Sequence, residues 1–338
     1  MKTRDKRGGP RVRRLIFDFG SENVRMGVDG SRRPPLSEPA VVAHRATGDV
    51  VAVGEQAFRM LGRTPDGLEA ERPFTRGGVR SPKLAEALVK SLMARVGGHS
   101  LRRPEIWIAL GAGSSAIDRR GLGILAQHAG AARVRYCSLS ACKALGLDLP
   151  LFQPMGSLLV DVGASCTRID LLSLGRSVGH YKVEMAGDHI DEAIVRLMRE
   201  RYNLMVGGAT SQSVKHALLG GGQTEATANG RDLVTGLPQS VTLERVEVLP
   251  AVEQLADQIA HAVRELLRDV SPELVADLAE RGVSLTGGGA RLEVLGDLLQ
   301  ERLDLPLHRD REPEETVCTG LQLALEPKNG RRLLLRSA

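Results

Sequence analysis

The sequence predicts an α/β fold of two lobes built by internal duplication. Three observations carry that prediction: a pair of matching Asp-x-Gly hairpins, strands alternating with amphipathic helices, and a triple-glycine loop after a buried strand. The first hairpin runs Leu15-Ile16-Phe17-Asp18-Phe19-Gly20-Ser21 and returns over Val24 to Asp29; the second runs Leu158-Leu159-Val160-Asp161-Val162-Gly163-Ala164 and returns over Thr167 to Leu172. Each reads as an apolar strand, a tight turn with an acid and a glycine at its tip, and a returning strand. The two aspartates lie 161 − 18 = 143 residues apart, room for a lobe between them.

The intervening elements follow in order. Ser81-Pro82 opens a helix whose Leu84, Leu88, Leu92 and Val96 recur at helical spacing until Gly97 stops it. Ile106 to Leu110 is a buried strand running into Gly111-Ala112-Gly113. Val252, Leu255, Ile259, Val263 and Leu266 form a second apolar stripe, and Ser271-Pro272 starts a third helix that stops at Gly282. Val283 to Thr286 then runs into Gly287-Gly288-Gly289 and a helix from Leu292 to Leu303. Backbone without side chains can approach a ligand closely, and the N-terminus of the following helix would offer its unpaired N–H groups to an anion.

At 338 residues and 42% hydrophobic content the chain can bury a sizeable core, built mainly from aliphatic side chains because aromatics are only 3%. The net charge is +5, and much of the excess lies in Lys2, Arg4, Lys6, Arg7, Arg11, Arg13 and Arg14 against the single Asp5. This stretch reads as a solvated arm, with attraction to an anionic membrane surface as the sharper alternative. The low aromatic content speaks against base stacking, so nucleic acid is not an expected partner. Cys137, Cys142, Cys166 and Cys318 match no zinc or redox spacing, which fits a reduced, cytoplasmic compartment. The apolar run Leu15-Ile16-Phe17 is broken by Asp18 and is too short for a signal-peptide core or a membrane span. Any membrane contact is expected to be peripheral.

A polyphosphate between two Asp-x-Gly hairpins would have turn amides and hydroxyls on its oxygens, with Asp18 and Asp161 facing the accompanying divalent metal. One such turn is weak evidence; two copies with a triple-glycine loop are strong.

On these residues the chain resembles the bacterial MreB family. Asp18-Phe19-Gly20-Ser21-Glu22-Asn23 is similar to its first phosphate motif, and Leu285-Thr286-Gly287-Gly288-Gly289-Ala290 to its adenosine motif. Leu36-Ser37-Glu38-Pro39, Met60 to Pro65, Ala186 to Ala193 and Ser271-Pro272-Glu273-Leu274 agree as well, so the likeness spans about Leu15 to Leu325. It implies an actin-like fold with duplicated RNase H-like subdomains. The ranges expected are a basic tail over 1–14, lobe I over 15–138 with a small insertion at about 33–75, lobe II over 139–326 with an insertion at about 179–246, and a basic tail over 327–338. It also implies ATP or ADP with magnesium, held through water by Asp18 and Asp161. Nucleotide contacts are expected from Asp18, Gly20, Ser21, Glu22 and Asn23, from Gly163, Ala164, Ser165, Cys166 and Thr167, and from Gly187 and Asp188. Gln212, Ser213, Lys215, Gly287, Gly288, Gly289, Ala290 and Arg291 complete the set.

Three departures mark the chain as divergent. Ala164 and Ser165 stand where the family carries glycines, so a strained second turn is expected. Leu139 stands where the family carries the glutamate that positions the attacking water, and losing such a group costs ~10²–10⁴-fold in rate. In Gln212-Ser213-Val214-Lys215 only the lysine keeps the family pattern. The expected function is a cytoskeletal protein of cell-shape or envelope assembly with weak or absent ATP hydrolysis. Its partners would be its own protofilaments or other MreB-type filaments, and cell-wall assembly proteins. The alternatives are a non-polymerising adaptor and an active ATPase or kinase of the same superfamily. The basic N-terminus, and the loop at His99-Ser100-Leu101 with its one leucine, predict salt-sensitive attachment at the inner face of the cell membrane.

Overall fold

The computed structural model describes residues 14–31, 33–75, 78–97, 103–326, 329, 333 and 335. Most of the basic arm, most of the C-terminal tail and the loop at His99–Leu101 lie outside the described residues, whereas Arg14 opens the first strand. The chain divides into two compact units: residues up to Asp148 together with those from Glu315 onward, and Leu149–Glu314.

In the first unit, strands β1 (Arg14–Phe19), β2 (Asn23–Val28) and β3 (Leu36–Pro39) lead into a small sheet of β4 (Val42–Arg45), β5 (Val50–Val53) and β6 (Leu68–Glu71), with the short helix α1 (Glu55–Phe58) between the last two. The two-stranded pair β7 (Phe74–Thr75) and β8 (Gly78–Val79), helix α2 (Pro82–Gly97), strand β9 (Glu105–Leu110), helix α3 (Ala116–His128), strand β10 (Arg133–Ser138) and helix α4 (Leu139–Gly146) follow. The main sheet has the order β10-β9-β1-β2-β3. β1 takes a central place because Leu15, Ile16 and Phe17 form an unbroken apolar run, fully buried and suited to a strand covered on both faces. Leu84, Leu88 and Leu92 bury the core stripe of α2, and Ser115 with Asp118 closes a capping box on α3.

A later helix, Thr316–Ala324, packs on α4 in this same unit. Backbones touch there: a side chain at Gly146 would collide with the Thr316 carbonyl, and one at Gly320 with the Cys142 carbonyl. The segment from Leu139, which the sequence expectation begins the second lobe with, therefore lies with the first unit, as does the chain beyond Glu315.

The second unit holds β11 (Ser157–Val162), β12 (Thr167–Ser173), β13 (Arg176–Val183), helix α5 (Gly187–Tyr202), β14 (Leu204–Met205), helix α6 (Gly208–Leu219), β15 (Glu225–Asp232), β16 (Pro238–Glu244), helices α7 (Arg245–Arg268) and α8 (Pro272–Arg281), β17 (Val283–Thr286), helix α9 (Glu293–Leu303) and β18 (Leu307–Arg309). Its main sheet runs β13-β12-β11-β17-β18, and β14, β15 and β16 form a small sheet of their own. Val252, Leu255, Ile259, Val263 and Leu266 of α7 are all buried in its core.

The duplication reaches the topology. In each unit a hairpin's first strand (β1, β11) pairs antiparallel with its second and parallel with a strand arriving much later (β9, β17). That strand pairs parallel with a further one (β10, β18), while the hairpin's second strand carries an antiparallel neighbour (β3, β13).

Candidate functional site

The two hairpin tips are closed by equivalent hydrogen bonds. Gly20 N–H donates to the Asn23 carbonyl at 3.1 Å, and Gly163 N–H to the Cys166 carbonyl at 3.1 Å. Ser21–Glu22 and Ala164–Ser165 make the two-residue loops, and none of these four has a positive φ. The strain expected at Ala164 and Ser165 is therefore absent, because this turn is not one of the left-handed types that demand glycine. Gly20 is needed for room: a Cβ would lie 2.6 Å from the Asn23 carbonyl oxygen.

In the first unit the tip is braced from outside. Arg72 donates to the Ser21 carbonyl at 3.3 Å and forms an ion pair with Glu22. Ala40 N–H donates to the Glu22 carbonyl at 2.7 Å. Asp18 faces Arg25 across the two strands, with a guanidinium nitrogen 3.4 Å from its carboxylate and both side chains mostly buried. Leu139 is the first residue of α4; Ser138 caps that helix by accepting from Ala141 N–H at 3.3 Å, and no acid occurs in its first turn.

In the second unit the predicted residues converge. Gly187 N–H donates to the Gly163 carbonyl at 3.2 Å and Asp188 N–H to the Ala164 carbonyl at 2.7 Å, so the first amides of α5 hold the hairpin turn. Lys215 reaches across from α6, its ammonium 3.3 Å from the Gly187 carbonyl and 2.5 Å from the Asp191 carboxylate, with both side chains nearly buried. The glycine loop lies on β11 from the other side. Gly287 has φ +77°, and a Cβ there would lie 2.5 Å from the Asp161 carboxylate; a side chain at Gly289 would strike Val162. Gly288 between them meets nothing and leaves its backbone open. The loop does not run straight into a helix as expected: a short 3-10 turn, Gly288–Arg291, and extended Leu292 precede α9.

The remaining predicted residues lie apart from these contacts or are otherwise engaged. Cys166, whose carbonyl closes the turn, and Thr167, the first residue of β12, are buried, Thr167 donating its hydroxyl to the Met185 carbonyl at 2.8 Å. Gln212 and Ser213 sit on α6, Ser213 on its exposed side. Ala290 is buried, and Arg291 makes a two-pronged ion pair with Glu314 at 2.6 and 2.5 Å.

The Gly163–Ala164 turn, the start of α5 and the Lys215–Asp191 pair thus form one hydrogen-bonded network, in which the third N–H of Lys215 is the donor left over for an anionic group. No cluster of three or more metal-ligating side chains occurs among the described residues, and Asp18 is already engaged by Arg25. Asp161, buried beside the glycine loop, suits the water-mediated contact magnesium makes when phosphates supply most of its ligands.

The family model for MreB/Mbl protein matches residues 13–331. The chain belongs to the MreB/Mbl family. Among curated relatives it is 34% identical to the cell shape-determining protein Mbl of Bacillus cereus, over 93% of this chain and 96% of that one. It is also 34% identical to the cell shape-determining protein MreB of Escherichia coli, over 92% and 93%. The fold is actin-like. MreB 5 of Spiroplasma citri, in a crystal structure bound to AMPPNP, superposes with a TM-score of 0.89 at 24% identity, covering 96% of this chain and 98% of that one. MamK in a double helical filament gives a TM-score of 0.77 at 22% identity, covering 93% and 99%.

Within this MreB/Mbl chain, sequence reading passed over four features. Arg25 and Arg168 each stand seven residues after a motif aspartate and directly opposite it, so the internal echo extends to an arginine in both hairpins. Asp191, the partner of Lys215, was hidden inside an amphipathic helix. Cys142 shares a hydrogen bond with Cys137, and the thiols of Cys142 and Cys318 both feel the Asp18 charge, a grouping no spacing reveals. The Cys142 hydrogen bond with Cys137 and then burial push its thiol up; burial and then the Asp18 charge do the same for Cys318.

Proposed function

We propose that this chain is a cytoskeletal protein of cell-shape or envelope assembly that binds an adenine nucleotide and hydrolyses it weakly or not at all. The observation that carries the reading is the second-unit cradle, in which the Gly163–Ala164 turn is held by the first amides of α5, Lys215 reaches the Gly187 carbonyl, and Gly287 and Gly289 pack on Asp161 and Val162. Curated relatives of about one third identity are named cell shape-determining proteins, and the MreB 5 of Spiroplasma citri carries AMPPNP in one crystal structure and ADP in another.

Each residue has a physical task. The Lys215 ammonium, already paired with Asp191 and the Gly187 carbonyl, has one N–H left to offer a phosphate oxygen. The amides of Gly187 and Asp188 hold the turn rigid. Gly288 leaves room for the adenosine side of the nucleotide, with Arg291 at the edge of the same loop. Magnesium, when bound with phosphate, would be held through water by Asp161 and would screen phosphate charge. Gly20, Ser21, Glu22 and Asn23 are proposed phosphate contacts on the family resemblance, supported by the matching turn geometry. Hydrolysis is weak because Leu139 can neither accept a proton nor orient water and α4 offers no acid in its place.

Self-assembly into protofilaments and contact with envelope-assembly proteins and an anionic membrane belong to the same proposal. Equilibrium binding of ATP with magnesium, followed by sedimentation and electron microscopy of the same sample, tests it. Saturable binding and pelleting above a critical concentration are expected. Binding without pelleting at any concentration would support the adaptor reading instead, and phosphate release at the rate of an ordinary MreB would overturn the assignment of weak hydrolysis.

A further inference from the structure

We propose that the Arg291–Glu314 pair is a flat wall against which a purine base stacks, so that the second unit distinguishes purine from pyrimidine nucleotides. This rests on the nucleotide binding proposed above and names the part of the nucleotide that the glycine loop reads. The turn Gly288–Arg291 is a 3-10 helix, in which residues three apart stand one above the other. Gly289 and Ala290 are buried, whereas Gly288 and Arg291 are exposed, so the outward position without a side chain shares a face with the arginine. A Cβ at Gly288 would meet nothing within 4 Å, which leaves open space beside the guanidinium. Arg291 is held by two hydrogen bonds along one edge, Nε donating to Glu314 Oε1 at 2.6 Å and Nη2 to Glu314 Oε2 at 2.5 Å. A two-pronged pair of this kind fixes the guanidinium plane, while the hydrogen bonds occupy its edge and not its faces. With the side chains 51% and 41% exposed the pair contributes little to stability; what it supplies is a plane set in advance. Guanidinium planes stack on aromatic faces, and a purine offers two fused rings where a pyrimidine offers one. A Cβ at Gly220 would lie 3.5 Å from the Arg291 carbonyl oxygen, so the end of α6, the helix of Lys215, abuts the same turn.

The test is calorimetric titration of the full-length chain with ATP, UTP and inorganic tripolyphosphate in excess magnesium, for wild type, Arg291→Ala, Arg291→Lys and Glu314→Ala, each checked by circular dichroism. Wild type is expected to bind ATP about tenfold more tightly than UTP. Arg291→Ala should lose about tenfold in affinity for ATP, the worth of one stacked base, and little for tripolyphosphate. Arg291→Lys should behave like Arg291→Ala, because lysine keeps the charge a phosphate contact would need and loses the plane. Glu314→Ala, which frees the guanidinium to turn, should lose about threefold for ATP. Equal wild-type affinity for ATP and UTP, full recovery in Arg291→Lys, an equal loss for ATP and tripolyphosphate in Arg291→Ala, or a Glu314→Ala protein that binds ATP like wild type would each overturn the proposal while leaving nucleotide binding intact. Absence of ATP binding to wild type would remove both.

Discussion

The two Asp-x-Gly hairpins have the same closing hydrogen bond and the same strand partners, yet different surroundings. The first is braced by side-chain charge: Arg72 on its loop and Arg25 on its aspartate. The second is held by backbone, with the amides of α5 on its turn and the glycine loop packed on its first strand, and the Lys215–Asp191 pair joins that network through the Gly187 carbonyl. Duplication thus preserved a backbone shape, while the groups around each copy changed independently. Packing constrains the strands, whereas each tip is constrained only by what it holds.

The largest way to disturb this contrast is Lys215→Ala. It strands the nearly buried Asp191 carboxylate and should cost about 3–5 kcal/mol in urea denaturation. Replacing Lys215 and Asp191 together by Met and Leu should recover most of that stability while still abolishing any nucleotide affinity the ammonium provides. On the first unit's side, Leu139→Glu places a carboxylate at the start of α4, where it also complements the helix dipole. Phosphate release should rise on the order of 10²-fold if the missing acid limits the rate; an unchanged rate would show that the defect lies elsewhere in the site.

A smaller effect compares the tips directly. Gly20→Ala places a Cβ 2.6 Å from the Asn23 carbonyl oxygen and should cost about 1–3 kcal/mol. Gly163→Ala places one 3.1 Å from the Cys166 carbonyl oxygen and should cost less than half as much by thermal melting. Equal costs would mean that the tips are not set apart by backbone room.

The smallest effect concerns the thiols beside Asp18. Cys142 and Cys318 are held above their ordinary value of 9.0, so their neutral forms favour the folded state. That stability is fully present below the unfolded thiol value and is lost above it, as the unfolded chain ionises first. The melting temperature should be level through neutral pH and fall from about pH 9, with a shallower fall for Cys318→Ala.

The hairpins, strands β9 and β17 and helices α2, α7 and α8 were legible because apolar period, capping residues and stop glycines are local signals. Arg25 was not, since its meaning depends on strand register; only the fold shows that seven residues past each aspartate means directly across from it. The turn at Ala164–Ser165 was misjudged because a glycine in related sequences does not by itself imply a positive φ. The 3-10 turn after Gly287 was invisible because Leu292 looks like the first rung of a helix in an apolar pattern yet adopts extended backbone. The grouping of Cys137, Cys142 and Cys318 needs the helix Thr316–Ala324 folded back on α4, a contact between segments far apart in the chain.

That returning helix also sets an order of events during synthesis. When the ribosome has added residue 314, every residue of the second unit has been made, whereas the first unit still lacks Thr316–Ala324. Until those residues emerge, the glycine side of α4 and the neighbourhood of Asp18 have no cover. The segment translated first is therefore completed last, and a chain cut short before Glu315 would carry one finished unit and one with its core open to water.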